Sequence, residues 1–484
     1  MTLSQLQALL PLLIVAATAV VVMLGIAAKR IHRMAAGLTI AGLAIALAVL
    51  MPSFLTGDTS TIAVTDLIVV DAKARLGMVL VLVTTLGVFT LCPAYFDGYH
   101  GNREEIYLLL AIATLGALTL TCAYHASTLL IGLELLSLPM VASVAYWVEH
   151  RRSVEGGIKY LVLSAAASAT LLFGLALIYA DTGALDIATL AGAISHAGLD
   201  TPLISTGAAM LLAGLAFKLS LVPFHQWTPD VYEAAPTPIA AYLATVVKLG
   251  AFIVVTRLFH AGADTASPLI VNGIVGLALA SMLVGSVMAV RATNLKRLLA
   301  YSSIVHFGYL AVLLTVPGYD ALRAAGVYLA GYLVGSIGVF GVMTLVSSPM
   351  QARDREELED YRGLFWHRPY LAGMLAGMLL SLAGIPLTIG FIGKFVVIGS
   401  GVQAARWLLV GGVVLASAIS VWYYLRVMGV LLSNAGAVTD RATPSVRWNA
   451  TAGGLMLLVA MLAALWFGIY PQPLFVIGGQ IAVP

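Results

Sequence analysis

Charge is what this chain of 484 residues has least of. Asp, Glu, Lys and Arg make up 10% of it, against roughly 25% in soluble domains. With a mean hydropathy of +1.00, no room is left for a sizeable water-soluble domain. Cysteine is nearly absent too. Cys92 and Cys122 are expected near opposite membrane faces, which excludes a disulfide, and two separated thiols fall short of the four that an iron–sulfur cluster normally takes. No Gly-rich phosphate loop or dinucleotide fingerprint occurs in a strand–helix setting. Of the nine histidines only His225 and His306 fall deep in apolar segments, short of the facing pairs a membrane haem requires. These absences read as a redox-inert chain without cofactor or metal of its own.

Apolar residues, at 61%, fill the space. Fourteen apolar segments run approximately over 8–28, 35–51, 74–96, 106–123, 126–147, 158–180, 204–233, 237–259, 270–290, 298–316, 324–347, 370–399, 405–432 and 452–470. Most are long enough to cross ~30 Å of hydrocarbon at ~1.5 Å per residue. The fold class is therefore all-α: a polytopic membrane protein of about fourteen transmembrane helices, with 1–484 as a single membrane domain. The first segment does not read as a cleaved signal, because Lys29, Arg30 and Arg33 follow its apolar run instead of preceding it.

Positive residues held inside put the N-terminus outside. Under strict alternation the inner loops carry Lys29, Arg30, Arg33, Arg103, Arg151, Arg152, Lys159, Arg291, Lys296, Arg297, Arg353, Arg355, Arg362, Arg368, Arg441 and Arg447. The outer loops carry only Lys73, Arg75, Arg257, Arg323 and Arg406. That asymmetry supports an even helix count with both termini outside. The net charge of +3 then reports topology, with lipids as partners and no nucleic acid.

Two segments look broken. Segment 204–233 holds Pro223 near its centre, and segment 370–399 holds Gly384-Ile385-Pro386. Proline removes a donor and clashes with the carbonyl four residues back; lipid cannot satisfy the freed groups, so protein or water must. The seventh and twelfth helices thus occupy the fourth place in two sets of five. Five crossings reverse direction, so the second set is expected to be an inverted repeat of the first. The layout reads as 1–104 (helices 1–3), 105–260 (first repeat), 268–433 (second repeat) and 450–484 (helix 14 and tail).

Near these breaks lie charges that lipid does not tolerate. A charge at mid-membrane costs at least ~2.5–3.5 kcal/mol, yet Glu134, Lys218, Lys248 and Lys394 interrupt four different segments. Lys218 lies about fourteen residues into its segment, or roughly 21 Å, too deep for snorkelling. Lys248 is similarly central. Lys394 is nearer the outer boundary, where snorkelling competes with function. Glu134 has a static ion pair as its plain alternative. His225 and His306 are candidates that interior hydrogen bonding alone also explains. Lys159, beside Glu155 at the inner start of its helix, is a candidate that topology alone also accounts for. Arg426 reads as an anchor, and the run Asp354 to Asp360 as a solvated inner loop. Desolvation makes an amine release its proton more readily, and a carboxylate ~4 Å away reverses this by ~4 kcal/mol at an effective dielectric of ~20. A change in the Glu134–Lys218 separation would load or unload Lys218, so the candidates suit proton movement driven from elsewhere.

The stretch Phe217-Lys218-Leu219-Ser220-Leu221-Val222-Pro223-Phe224-His225-Gln226-Trp227-Thr228-Pro229-Asp230-Val231-Tyr232-Glu233-Ala234-Ala235-Pro236 resembles the signature of the antiporter-like membrane subunits of respiratory complex I, the NADH–quinone oxidoreductase. So do Leu295-Lys296-Arg297-Leu298-Leu299-Ala300-Tyr301-Ser302-Ser303-Ile304-Val305-His306 and Ser381-Leu382-Ala383-Gly384-Ile385-Pro386. The resemblance spans nearly the whole chain. It implies proton translocation by a non-redox subunit, with Glu134 and Lys218 as an ion pair, Lys248 as central relay, Lys394 as the group towards the outside, and His225 and His306 as links. It also implies partners: neighbouring antiporter-like and other membrane-arm subunits, and a peripheral redox arm holding NADH, FMN, iron–sulfur clusters and quinone. Lys394 argues against the sibling subunit that carries glutamate there, and the absence of a long extension after helix 14 against the largest subunit. A subunit of a multisubunit sodium/proton antiporter, which shares the core, is the alternative; a purely structural scaffold is the third reading.

Overall fold

The computed structural model describes residues 2–99, 101–259, 267–349, 354–434 and 452–480. Arg353, Arg441 and Arg447, and residues at the expected limits of the regions 1–104, 105–260 and 450–484 (1, 260, 450, 451 and 481–484), lie outside the described residues. The chain is almost entirely helical. It opens with α1 (Leu3–Ala28) and α2 (His32–Leu55), followed by a short antiparallel hairpin, β1 (Ile62–Thr65) and β2 (Ile68–Val70). Then come α3 (Ala72–Phe96), α4 (Glu105–Cys122), α5 (Ala126–Val144), α6 (Arg151–Thr182) and the short α7 (Ile187–Ser195). The seventh segment is α8 (Pro202–Leu219) and α9 (Trp227–Ala234). The eighth is α10 (Thr237–Tyr242), a π-helical turn (Leu243–Val247) and α11 (Lys248–Phe259). The second half holds α12 (Pro268–Arg291), α13 (Leu295–Leu313), α14 (Tyr319–Val346), the single turn α15 (Leu364–His367), α16 (Pro369–Ala383), α17 (Ile389–Gln403) and α18 (Trp407–Leu432). α19 (Ala452–Ile469) and α20 (Gln472–Gln480) end it.

Among the described residues twelve helices are long and apolar enough to cross a membrane. The 19-residue α13, made less apolar by Lys296, Arg297 and His306, and the α16–α17 pair bring the crossings to fourteen. Local chemistry sets the boundaries. Asp71 and Asn294 accept backbone amides at the starts of α3 and α13, satisfying donors that a helix start leaves free. Pro202, Pro268 and Pro369 occupy first-turn positions, where the missing N–H is harmless.

Small residues bring helices together, as membrane packing requires. A Cβ on Gly174 would stand 2.6 Å from the carbonyl of Gly207, and one on Gly207 equally close to that of Gly174, so α6 and α8 touch backbone to backbone. The innermost layer is α10–α11, buried over its whole length, with α13 and α14 against it. The buried Lys248, Lys296 and His306 sit there.

The hairpin was not expected. A two-stranded ribbon is marginal alone, and this one is pinned by Gln5 and Thr128, which donate to the carbonyls of Ala63 (2.9 Å) and Leu67 (3.0 Å). Such support comes from distant residues and leaves no pattern in the loop itself.

Candidate functional site

Both expected breaks are present. α8 ends at Leu219 and α9 resumes at Trp227; α16 ends at Ala383 and α17 resumes at Ile389. The first half-helix closes on Ser220 (φ 62°) and the second on Gly384 (φ 81°). The groups freed by the first break stay inside protein: the carbonyl of Ala216 accepts from the Leu221 amide (2.8 Å), and that of Phe217 from the Trp227 indole (3.0 Å). At the second, a Cβ on Gly384 would stand 2.7 Å from Lys394 Cδ, and one on Gly390 1.8 Å from the carbonyl of Ser381. Gly390 therefore leaves no room for a side chain, and at Gly384 the left-handed backbone disfavours one.

Lys218 is 3% exposed, on the last turn of α8. Its Nζ donates to Ser137 Oγ of α5 (2.7 Å) and Ser164 Oγ of α6 (2.8 Å). Glu134 is half-buried and accepts from Ser168 Oγ (2.8 Å). The expected Glu134–Lys218 ion pair is not closed by a direct contact among the described residues. Two serines take the ammonium's hydrogen bonds, and a third, Ser168, takes up Glu134. Ser137 is three residues from Glu134 and Ser164 four from Ser168, so each serine faces along its own helix towards the acid's side.

Lys248, with no exposed surface, begins α11 directly after the π-helical turn. Such turns are rare and recur at functional sites. Tyr332 Oη donates to the carbonyl of Ala244 within the turn (2.8 Å), filling a bond the widened helix cannot. Lys248 Nζ donates to Ser303 Oγ (2.7 Å) and lies 5.2 Å from the centre of the Phe307 ring and 5.8 Å from that of Tyr232. One turn along α13, His306 pairs through Nδ1 with Tyr328 Oη (2.5 Å) and through Nε2 with Tyr424 Oη (3.5 Å). Tyr424 in turn pairs with Ser302.

Lys394 is 6% exposed and does not snorkel. Its Nζ turns inward to the carbonyl of Ala383 (2.7 Å), which the break leaves unpaired, and to Ser420 Oγ (3.3 Å). It lies 5.6 Å from the Tyr309 ring, and Tyr309 lies beside His306 with ring centres 5.8 Å apart. Two polar groups result: Glu134 with Ser168, and Lys218 with Ser137 and Ser164, around α5, α6 and α8; and Lys248, Ser303, His306, Tyr309 and Lys394 along α13 and its neighbours.

Among the described residues no hydrogen bond ties His225 or Lys159 to these buried lysines. His225 lies in the gap between α8 and α9, not deep in a helix, half-buried with Nδ1 lacking a hydrogen-bond partner. Lys159 is 45% exposed at one end of the bundle, paired with Glu155 (2.9 Å) and Asp230 (3.2 Å).

The same end holds a site that the sequence reading missed. Asp354, read as part of a solvated loop, is 3% exposed. Its oxygens accept from Tyr95 Oη (2.7 Å), Thr237 N (3.1 Å), Thr237 Oγ1 (2.6 Å) and Lys296 Nζ (2.6 Å). Lys296, with no exposed surface, also donates to the carbonyl of Ala235 (2.8 Å). Burial pushes the nearby Glu356 carboxyl above its ordinary range, with Lys296 opposing. The hub ties α3, the start of α10 and the start of α13 to the loop after α14. An acid-rich run reads as solvated by default, and nothing local marks the one member that turns inward. The serines and tyrosines holding the lysines were missed for a similar reason: hydroxyls are common in membrane helices. Arg426 anchors the end of α12 by donating to the carbonyls of Val290 (2.6 Å) and Ala292. Among the described residues no group of three or more His, Cys, Asp or Glu is placed to hold a metal ion.

Residues 123–420 match the family described as NADH:quinone oxidoreductase/Mrp antiporter, TM. The chain is 49% identical over 478 residues to the NADH-quinone oxidoreductase subunit N of Ectopseudomonas mendocina (strain ymp), covering 98% of this chain and 96% of that one. A chain in the structure of respiratory complex I from Thermus thermophilus with bound aureothin superposes with a TM-score of 0.81 at 32% identity, over 96% of this chain and 98% of that one. A chain of the Mrp complex from Dietzia sp. DQ12-45-1b superposes with a TM-score of 0.85 at 20% identity, over 100% and 97%, a likeness of fold alone.

Proposed function

Since the chain belongs to the NADH:quinone oxidoreductase/Mrp antiporter membrane family, we propose that it is subunit N of a bacterial NADH–quinone oxidoreductase, respiratory complex I. It is an antiporter-like membrane subunit of that complex and sits among other membrane-arm subunits. The observation that carries the assignment is the 49% identity sustained over 98% of the chain. The sodium/proton antiporter alternative has the shared family and the shared fold behind it.

Within the complex the chain moves protons from cytoplasm to periplasm of the inner membrane. NADH oxidation and quinone reduction on partner subunits supply the energy; this chain carries no cofactor. The end bearing Lys159 and Lys296 faces the cytoplasm, and both termini face the periplasm. Glu134 and Lys218 load the proton, Lys248 relays it, and Lys394 releases it, with His306 and His225 as links. In support, the hydrogen bonds of Lys218, Lys248 and Lys394 go to serine hydroxyls or, for Lys394, also a backbone carbonyl, none to a carboxylate. An amine held by neutral acceptors changes charge without stranding a partner of opposite sign. The sets 105–260 and 268–433 act as inverted halves, a reading supported by the matching left-handed closures at Ser220 and Gly384.

The test is proton-to-electron stoichiometry in the purified, assembled complex in vesicles. Lys218→Ala and Lys248→Ala should each lower it while the complex still assembles. An unchanged ratio in both would remove the proton-carrying role, and sodium-dependent exchange without NADH would move the chain to the alternative.

A further inference from the structure

A cavity of about 270 Å³ opens where α6, α9 and α13 meet at the Lys159 end. Its charged walls are Arg152, Glu155, Lys159, Asp230, Glu233 and Arg297. They alternate in sign and pair in sequence: Glu155 with Lys159 (2.9 Å), Lys159 with Asp230 (3.2 Å), Asp230 with Arg297 (2.9 Å), Arg297 with Glu233, and Glu233 with Arg152 (3.1 Å). A space this roomy and polar holds several waters. Gly156 and Ala234 belong to the wall as well, and a Cβ on Gly156 would stand 2.3 Å from the Ala234 methyl, so α6 and α9 touch there.

One turn further along α6 is Tyr160. It is wholly buried, its ring stacks on Trp227 at 4.9 Å, and its hydroxyl has no hydrogen-bond partner. Buried hydroxyls nearly always have one, and an exception points to an unplaced water. The next turn brings Ser164, on Lys218, and the next Ser168, on Glu134. Gly156, Tyr160, Ser164 and Ser168 recur every four residues, about 6 Å apart, on one stripe of one helix. Tyr160 is the only position on that stripe whose polar atom is idle.

We propose that this cavity is the inlet through which Lys218 regains its proton, and that the Tyr160 hydroxyl carries protons from it; the proposal rests on Lys218 being a proton carrier. A proton delivered by cavity water joins the Tyr160 oxygen while the hydroxyl's own proton leaves towards Ser164 through water. Ser164 passes its proton to the neutral Lys218 amine and takes the incoming one. Both hydroxyls end as they began, and one proton has moved. Trp227 holds the ring and takes no part in the transfer.

Tyr160→Phe keeps the stacking and removes only the oxygen. In the full complex in vesicles, it should lower the proton-to-electron ratio to the value of Lys218→Ala, at unchanged assembly. A wild-type ratio in Tyr160→Phe beside a lowered ratio in Lys218→Ala overturns the inlet and leaves the carrier reading intact. Wild-type ratios in both variants remove the carrier reading, and the inlet with it. Should Tyr160→Phe fail to assemble, a density map of the native complex that resolves waters decides. Water on the Tyr160 hydroxyl continuous with the cavity supports the inlet, and a dry hydroxyl overturns it.

Discussion

At the first broken helix the lysine stands ahead of the gap; at the second it stands behind it. Lys218 lies two residues before the left-handed Ser220, and Lys394 ten residues after the left-handed Gly384. The negative end of α8 favours the charge of Lys218, whose hydrogen bonds go to two other helices, α5 and α6. Lys394 spends its shortest bond on the carbonyl its own break leaves open. A change of charge at Lys218 is therefore felt by Ser137, Ser164 and, through their helices, Glu134. A change at Lys394 is felt first by the backbone between α16 and α17. One site is tuned from outside its helix, the other by the break itself.

Removing either amine should have the largest effect, and an equal one. Without the lysine the proton crosses that depth unassisted, against a charge cost of ~2.5–3.5 kcal/mol, or on the order of 100-fold in rate. Proton flux per electron in Lys218→Ala and Lys394→Ala complexes measures this; a loss at one site alone would mean that only one break lies on the route. Next in size is Glu134→Gln, about tenfold, from a coupling of about 1.4 kcal/mol. If the comparison holds, Glu134→Gln adds nothing to Lys218→Ala but its full effect to Lys394→Ala. Additivity in both double variants would dissolve the difference between the two sites.

Much of this was legible in the sequence because lipid makes some errors too costly to persist. Lys218, Lys248, Lys394 and Glu134 were visible as charges without water, and Pro223 and Gly384-Ile385-Pro386 as breaks without solvent to heal them. What is cheap in a membrane was not legible. Ser137, Ser164 and Ser303 look like any packing serine until a lysine is found on them. The π-helical turn before Lys248 has no residue signature, and its compensation comes from Tyr332, 88 positions from Ala244. Asp354 was misread because a loop's acid is normally solvated, and its donors, Tyr95 and Thr237, are 259 and 117 positions away.

Hydroxyl removal should separate the two sites more gently. Ser137→Ala with Ser164→Ala takes both acceptors from Lys218, leaving a buried ammonium unpaired at a cost of about 1–3 kcal/mol. Ser420→Ala leaves Lys394 its 2.7 Å carbonyl and should cost under ~1 kcal/mol. Thermal unfolding of the purified complex ranks them, and equal losses would mean that the Ala383 contact does not hold Lys394.

A last contrast, with one net change near zero, lies in the left-handed residues that close the two half-helices. Gly384→Ala puts a Cβ into a left-handed conformation, costing roughly 1–2 kcal/mol, and crowds Lys394 Cδ at 2.7 Å. Ser220 already bears that strain. Ser220→Gly relieves about 1 kcal/mol of it but gives up the hydrogen bond from Thr228 Oγ1 (2.7 Å), worth about as much, so the net change should lie near zero. The same unfolding measurement reads both variants. A Ser220→Gly complex that melts as low as Gly384→Ala would show that the Ser220–Thr228 bond, not backbone geometry, closes the first half-helix, and the likeness between the two breaks would then stop at their φ angles.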